Sequence, residues 1–312
     1  MGFALDRGQG RLMDEAVLGA LRGQLDEAAA VLREAGGPGT PIFDTAVHEA
    51  RKSLKRARAV LRLLQPGLGK KAVRSEAKAL AATARRLAAA RDARILHDTL
   101  ERLAATAEEG PERAAVQAAQ AARQGQGVPH VPDEARDTVL SELGAACERV
   151  QGLALAGSVQ RTVHRGLARL LRQIRSAYAT ASSSPSAENF HALRKRCKDF
   201  FYVCKLLTDA SPNLVGPLVK DLDRLGEALG EEHDLALLAE QIHARPEEWG
   251  GSDGAAELVR LTGRERERLQ GEARPLCERL IVLSPGRFGA GVARELKETW
   301  RSDAEQARAN AS

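Results

Sequence analysis

Val47-His-Glu-Ala-Arg-Lys-Ser-Leu-Lys-Arg-Ala-Arg-Ala-Val-Leu-Arg-Leu-Leu64 and Phe190-His-Ala-Leu-Arg-Lys-Arg-Cys-Lys-Asp-Phe-Phe-Tyr-Val-Cys-Lys-Leu-Leu207 align without a gap at an offset of 143. His48 falls on His191, Arg51 on Arg194, Lys52 on Lys195, Lys55 on Lys198 and Arg62 on Lys205. One gap later the match resumes at an offset of 142, with Lys78 on Lys220 and Asp92 on Asp234. Self-similarity of this kind marks an internal duplication. The expected organisation is two related halves, 5–123 and 133–310, joined by a linker at 124–132 that contains Gly125-Gln-Gly-Val-Pro-His-Val-Pro132. A pseudo-two-fold axis between such halves would let both basic faces line one shared cleft or channel.

Each copy reads as an amphipathic helix, because positions i, i+3, i+4 and i+7 share a face. In the first, His48, Arg51, Lys52 and Lys55, continued by Arg58 and Arg62, lie opposite Val47, Leu54, Leu61 and Leu64. In the second, His191, Arg194, Lys195, Lys198 and Lys205 lie opposite Leu193, Cys197, Phe200, Cys204 and Leu207. Apolar residues recur at helical spacing through almost the whole chain of 312 residues, and no strand or hairpin signal stands out. Aromatics make up 3% and hydrophobic residues 43%, so the expected core is Leu, Val and Ala and the expected fold is all-α. Short breakers punctuate it, among them Gly36–Pro41, Gln65-Pro-Gly67, Gly110-Pro111, Ser182–Ser186, Ser211-Pro212, Gly250–Gly254 and Ser284-Pro-Gly286.

Charge is unevenly placed. Residues 47–78 carry a net +8, residues 156–178 carry five arginines and no acid, and residues 190–205 carry a net +4. Together these stretches hold +17, leaving −12 for the rest of a chain whose net charge is +5. Arg161, Arg165, Arg169, Arg172 and Arg175 run at spacings of four, four, three and three, with Val163, Leu167, Leu170, Leu171 and Ile174 on the other side. An ordinary solvated helix face alternates basic residues with Glu or Asp at i+4. These helices accumulate like charge instead, about one cation per turn of ~5–6 Å. That pattern suits an extended anion such as a phosphate chain, which Arg grips bidentately and Lys meets as a point charge.

The paired histidines sit in register one turn before each Arg-Lys pair, which suggests a role at the anion rather than in a helix cap. Protonation beside phosphate predicts tighter binding as pH falls from about 8 to about 6. Asp92 and Asp234, retained in a basic setting, read as orienting an Arg or Lys, with metal ligation as the sharper alternative. Cys147, Cys197, Cys204 and Cys277 form no C-x-x-C pair and no zinc-finger spacing, so buried reduced thiols are expected. No apolar run reaches the ~18 residues of a membrane span, and no signal-peptide pattern opens the chain, so a cytoplasmic location without membrane contact is expected.

The His-x-x-Arg-Lys-x-x-Lys helix in two copies, each followed by an Arg/His-Asp segment, resembles the conserved histidine α-helical domain, the CHAD family, over about residues 5–290. The resemblance implies two pseudo-symmetric antiparallel helical bundles around a basic central channel, binding of inorganic polyphosphate without catalysis, and association with polyphosphate granules. Carried over by motif, the polyphosphate-binding residues would be His48, Arg51, Lys52, Lys55, His191, Arg194, Lys195 and Lys198. The stripe argument adds Arg58, Arg62, Arg165, Arg169 and Arg172, and the extended repeat adds Lys78, Lys205 and Lys220. One departure is Phe201, which stands where the first copy has Arg58. The E-x-E-x-K strand of the triphosphate-tunnel domain, to which many members are fused, does not occur.

Two other readings remain. The basic helices would suit a nucleic-acid backbone at low salt, although single-strand recognition wants aromatic platforms, which these stripes have only in Phe201 and Tyr202. His97-Asp98 and His233-Asp234 would suit a metal-dependent phosphohydrolase, but neither dipeptide recurs in the other half. No catalytic residue, metal or cofactor is expected, and the oligomeric state is not encoded legibly.

Overall fold

The computed structural model describes residues 3–8, 12–36, 40–87, 89–123 and 132–310, apart from the side chains of 89–94, 133 and 310. Among these residues the regular structure is helical throughout. The helices are α1 (Met13–Glu34), α2 (Pro41–Leu68), α3 (Lys70–Arg86), α4 (Ala89–Thr106), α5 (Pro111–Arg123), α6 (Asp133–Gln151), α7 (Val159–Ser183), α8 (Ala187–Leu207), α9 (Gly216–Ala244), α10 (Gly251–Ile281) and α11 (Pro285–Asn310), with a 3₁₀ turn at Pro246–Trp249.

The starts of the three basic helices are capped by short polar side chains that satisfy orphan amides. Thr40 accepts from the Phe43 amide at 3.1 Å, Ser158 from Arg161 at 3.3 Å and Ser186 from Asn189 at 3.2 Å. Most expected breakers lie at helix ends. The one at 65–67 does not, because α2 runs through Pro66 and stops at Gly69, whose φ of 85° is a conformation glycine tolerates.

The two basic helices of the repeat each pack between neighbours. α2 packs on α1 and α3, α8 on α7 and α9, α6 on α1, and α11 on α7. The expected linker lies almost wholly outside the described residues. α6, which that division places in the C-terminal half, packs on α1 and α3 of the N-terminal half. α4 and α5 in turn pack on α9 and α10, and α2 on α7 and α8, so helices of the two expected halves interlock; the connection at 152–158 is tied to α2 by the Ala156 amide donating to the Gly67 carbonyl at 3.0 Å.

The predicted apolar faces are inside. Val47, Leu54, Leu61 and Leu64 of α2, the five named positions of α8, and the five of α7 are all buried. Three of the four cysteines are buried free thiols, and Cys147 is half-buried. The largest fully buried side chains are Trp249, Phe43 and Phe200, so the few aromatics sit where volume is most needed.

α2 and α7 run antiparallel in very close contact. Cβ atoms added at Gly67 and Gly166 would collide with Thr162 and with the Leu63 carbonyl respectively. A backbone carbonyl cannot swing aside, so Gly166 sets the separation of these helices. Gly166→Ala should lower unfolding stability by roughly 1–3 kcal/mol through overpacking, despite a helix-propensity gain of about 1 kcal/mol. Gly263→Ala in α10, where a Cβ meets nothing within 4 Å, should instead be neutral or stabilising by up to about 1 kcal/mol. Chemical denaturation of the two variants checks the contrast.

Candidate anion-binding clefts

The basic faces of α2 and α8 meet at two clefts. His48, Lys52 and Lys55 of α2 line a cleft of about 330 Å³ together with Arg194, Lys198 and Tyr202 of α8. Arg58 and Arg62, the next positions of the same α2 stripe, line a second cleft of about 350 Å³ with Arg196 of α8. α8 therefore crosses the α2 stripe between Lys55 and Arg58, and divides one helical face into two sites.

The second cleft is the more strongly cationic. Its lining holds Arg58, Arg62, Lys70, Arg74, Lys78, Arg169 and Arg196, with Gln65, Gln173 and small apolar side chains, and no carboxylate. Lys70, Arg74 and Lys78 project from α3 at i, i+4 and i+8. The one acid of α3, Glu76, turns away to Arg149 of α6 at 2.8 Å. Arg169 comes from α7.

Behind this lining lies Asp199, which is 9% exposed. It accepts from Arg62 at 2.6 Å and stands 3.9 Å from Arg196. Burial pushes its carboxyl up, while Arg62, Arg196, Arg58 and Arg169 pull it down. One carboxylate thus serves four guanidiniums.

The surplus is visible in the cations themselves. Burial, then Arg62, depresses the Arg58 pKa against the opposing pull of Asp199. Burial, then Arg196 and Arg62, does the same to Arg169. Lys195, at the crossing, is lowered by burial and by Arg196, Arg58, Arg194 and Arg62. The Nε donors of Arg58 and Arg169 are buried without an acceptor among the described residues. Burial and neighbouring positive charge both disfavour the charged form of these groups.

The first cleft is different because α9 supplies acids. Glu227, Glu231 and Asp234 face its cations. Lys198 is lowered by burial and Arg194 but raised by Asp223 and Glu227, and Asp234 lies 3.6 Å from Arg102. Gly226 and Gly230, one turn apart on α9, make room for the cations. A Cβ at Gly226 would sit 2.5 Å from the Lys198 ammonium, and one at Gly230 3.8 Å from the Arg194 guanidinium.

Several expected positions fall outside both linings. Arg51 donates to the Ala84 carbonyl at 2.7 Å. Lys205 lies 5.9 Å over the Phe201 ring. Lys220, Arg165 and Arg172 are exposed and line neither cleft. Of the α7 stripe only Arg169 enters a cleft, and Arg175 is turned to the Leu283 carbonyl at 2.6 Å. Asp92 lies outside the described side chains. Conversely, Lys70, Arg74 and Arg196 belong to a cleft although the motif did not select them. The 70–74–78 spacing was the available signal.

His191 has a neighbour that the motif did not indicate. It stacks on His233 with ring centroids 3.9 Å apart and an interplanar angle of 27°. Burial, then Lys195 and Arg194, lowers its pKa to about 4. Burial, then His191, Arg194, Lys195 and Arg266, lowers that of His233 to about 3. The surroundings of His191 therefore favour the neutral imidazole in the unliganded protein. Among the described residues no three His, Cys, Asp or Glu side chains converge as a metal site, and no helix is long and apolar enough to cross a membrane.

Comparison with known proteins accords with this architecture. The CHAD domain family model matches residues 15–243, more than half of the chain, and the chain belongs to that family. No curated protein matches the sequence. Among solved structures, PptA from Streptomyces chartreusis aligns with a TM-score of 0.53 at 19% identity, over 85% of this chain and 97% of that one. At that identity the likeness is one of fold.

The stacked pair predicts a pH dependence of stability. Both imidazoles bind protons less readily folded than unfolded, so the unfolded chain takes up more protons as pH falls below about 6.5. Stability is complete above that value and lost as pH drops toward 4. The Tm should fall between pH 6.5 and pH 5, before most carboxylates titrate, and His191→Gln/His233→Gln should flatten that slope. An unchanged slope in the double variant would contradict the assignment.

Proposed function

We propose that this CHAD-domain protein binds inorganic polyphosphate without chemical turnover, and that the carboxylate-free cleft between α2, α3, α7 and α8 is its principal site. The observation that carries the reading is that cleft: seven cations and no acid in its lining, with two of its arginines depressed by burial and by neighbouring cations. A bound polyanion supplies the missing counter-charge, and each phosphate offers the paired oxygens that a guanidinium recognises best. The CHAD family supports polyphosphate over other polyanions, a distinction charge alone does not make. The lining contains no aromatic side chain on which a nucleobase would stack.

The first cleft serves in this reading as a weaker extension. Its His48, Lys52, Lys55, Arg194 and Lys198 face a wall of acids, which subtract from the attraction for any phosphate placed there. Lys195, whose charge is felt by Arg194 on one side and Arg58 on the other, marks the route by which a long chain would reach both. A binder of this kind would be expected at polyphosphate granules.

Affinity should be strongly salt-dependent, because phosphates neutralised by Lys and Arg release their counterions. Arg74→Glu/Lys78→Glu should weaken polyphosphate binding by at least about tenfold at moderate salt and reduce the slope of log K against log salt by about 1.5–2. Lys205→Glu/Lys220→Glu, outside both clefts, should change affinity by less than about twofold. Titration calorimetry at three salt concentrations, with duplex DNA and single-stranded RNA as competitors, measures all of this. Equal effects from the two double variants, or equal affinity for nucleic acid, would contradict the reading. Incubation with polyphosphate and Mg²⁺ or Mn²⁺ should release no phosphate.

A further inference from the structure

Arg169 is the only member of the α7 arginine stripe in either cleft, and its placement has a cause in a different helix. In α2 the Arg62 carbonyl should accept from the amide four residues on, but residue 66 is proline and has no N–H. The guanidinium Nη2 of Arg169 donates to that carbonyl instead. The contact is reachable because α7 lies unusually near α2 there. Gly166, one turn earlier on α7, leaves room for the neighbouring Leu63 carbonyl, which a Cβ would strike.

From this geometry we propose that Pro66 is a positioning residue for the anion site. By withholding an amide it leaves the Arg62 carbonyl to Arg169, which fixes the guanidinium beside Arg62 and Arg196. A fixed cation loses less side-chain entropy when an anion arrives than a solvated one, and its remaining donors are already aimed. The same link explains how so crowded a cleft retains Arg169. Repulsion from Arg196 and Arg62 would drive a freely jointed guanidinium outward, and the carbonyl dipole opposes that. Pro275, the proline inside α10, has no such cationic partner at its i−4 carbonyl among the hydrogen bonds described.

The inference rests on the proposed function for its consequence, but not for its geometry. Pro66→Ala restores the amide, so α2 gains a hydrogen bond and the Tm should stay the same or rise. Polyphosphate affinity should nevertheless fall, by about three- to tenfold, with a salt slope smaller by up to about 0.7–0.9. Stability and affinity moving in opposite directions is what a merely structural proline would not produce. In an Arg169→Ala background, Pro66→Ala should cost no further affinity. An undiminished affinity in Pro66→Ala, or an equal loss in the Arg169→Ala background, overturns the proposal. In the free protein, the Arg169 guanidinium ¹⁵N–H signals should be protected from exchange in the parent and not in Pro66→Ala; equal protection also overturns it. If the parent binds no polyphosphate, the functional reading fails, and the exchange measurement still decides whether Pro66 positions Arg169.

Discussion

Asp199 is a single buried carboxylate around which Arg58, Arg62, Arg169 and Arg196 gather, and the rest of the site depends on how that imbalance is held. Like charges so close, in surroundings where water is partly excluded, repel by several times what they would in bulk solvent. The fold opposes this with the apolar faces behind each helix and with one ion pair of 2.6 Å that ties α2 to α8. Removing the acid would leave uncompensated charges in a half-buried setting, which is far more destabilising than losing a surface pair. The incomplete neutralisation is also what keeps the cleft attractive to an anion. Stability and binding draw on the same charges in opposite directions.

The close approach of α2 and α7 supplies the geometry for that compromise. Gly166 sets the separation, Pro66 exposes a carbonyl, and Arg169 fills the vacancy. A proline within the final turns of a helix is tolerated where the acceptor it strands finds another donor. Here the donor is a guanidinium that the cleft uses. Backbone hydrogen bonding, helix packing and anion-site geometry thereby become one problem with one solution. The second copy of the basic helix differs at the same site, with Phe201 at the position of Arg58.

Much of this was legible in the sequence, for physical reasons that also mark the limits. The helix period of 3.6 makes faces readable, so the buried sides of α2, α7 and α8 and the all-α class followed directly from spacing. The duplication located the pair of basic helices. What periodicity cannot convey is where helices cross. Lys55 and Arg58 belong to one stripe yet line different clefts, because α8 passes between them. Nor could it show that Arg161, Arg165 and Arg172 stay at the surface while Arg169 turns inward. The surroundings of His191 were hidden for a related reason. A motif shows that His191 stands near Arg194 and Lys195, but its lowered pKa owes most to burial, and the His233 ring that stacks on it comes from another helix. Gln65-Pro-Gly67 read as a breaker because the rescue of the Arg62 carbonyl comes from more than a hundred residues away.

The central claim is that an extended polyanion lies in the carboxylate-free cleft, with the acid-walled cleft as a lesser extension. A crystal structure of the protein with polyphosphate of defined length tests it most directly. The account predicts phosphate groups between the side chains of Arg58, Arg62, Arg74, Lys78, Arg169 and Arg196. Phosphates running instead along the exposed face of Arg161, Arg165 and Arg172, or confined to the cleft of His48 and Arg194, would contradict it.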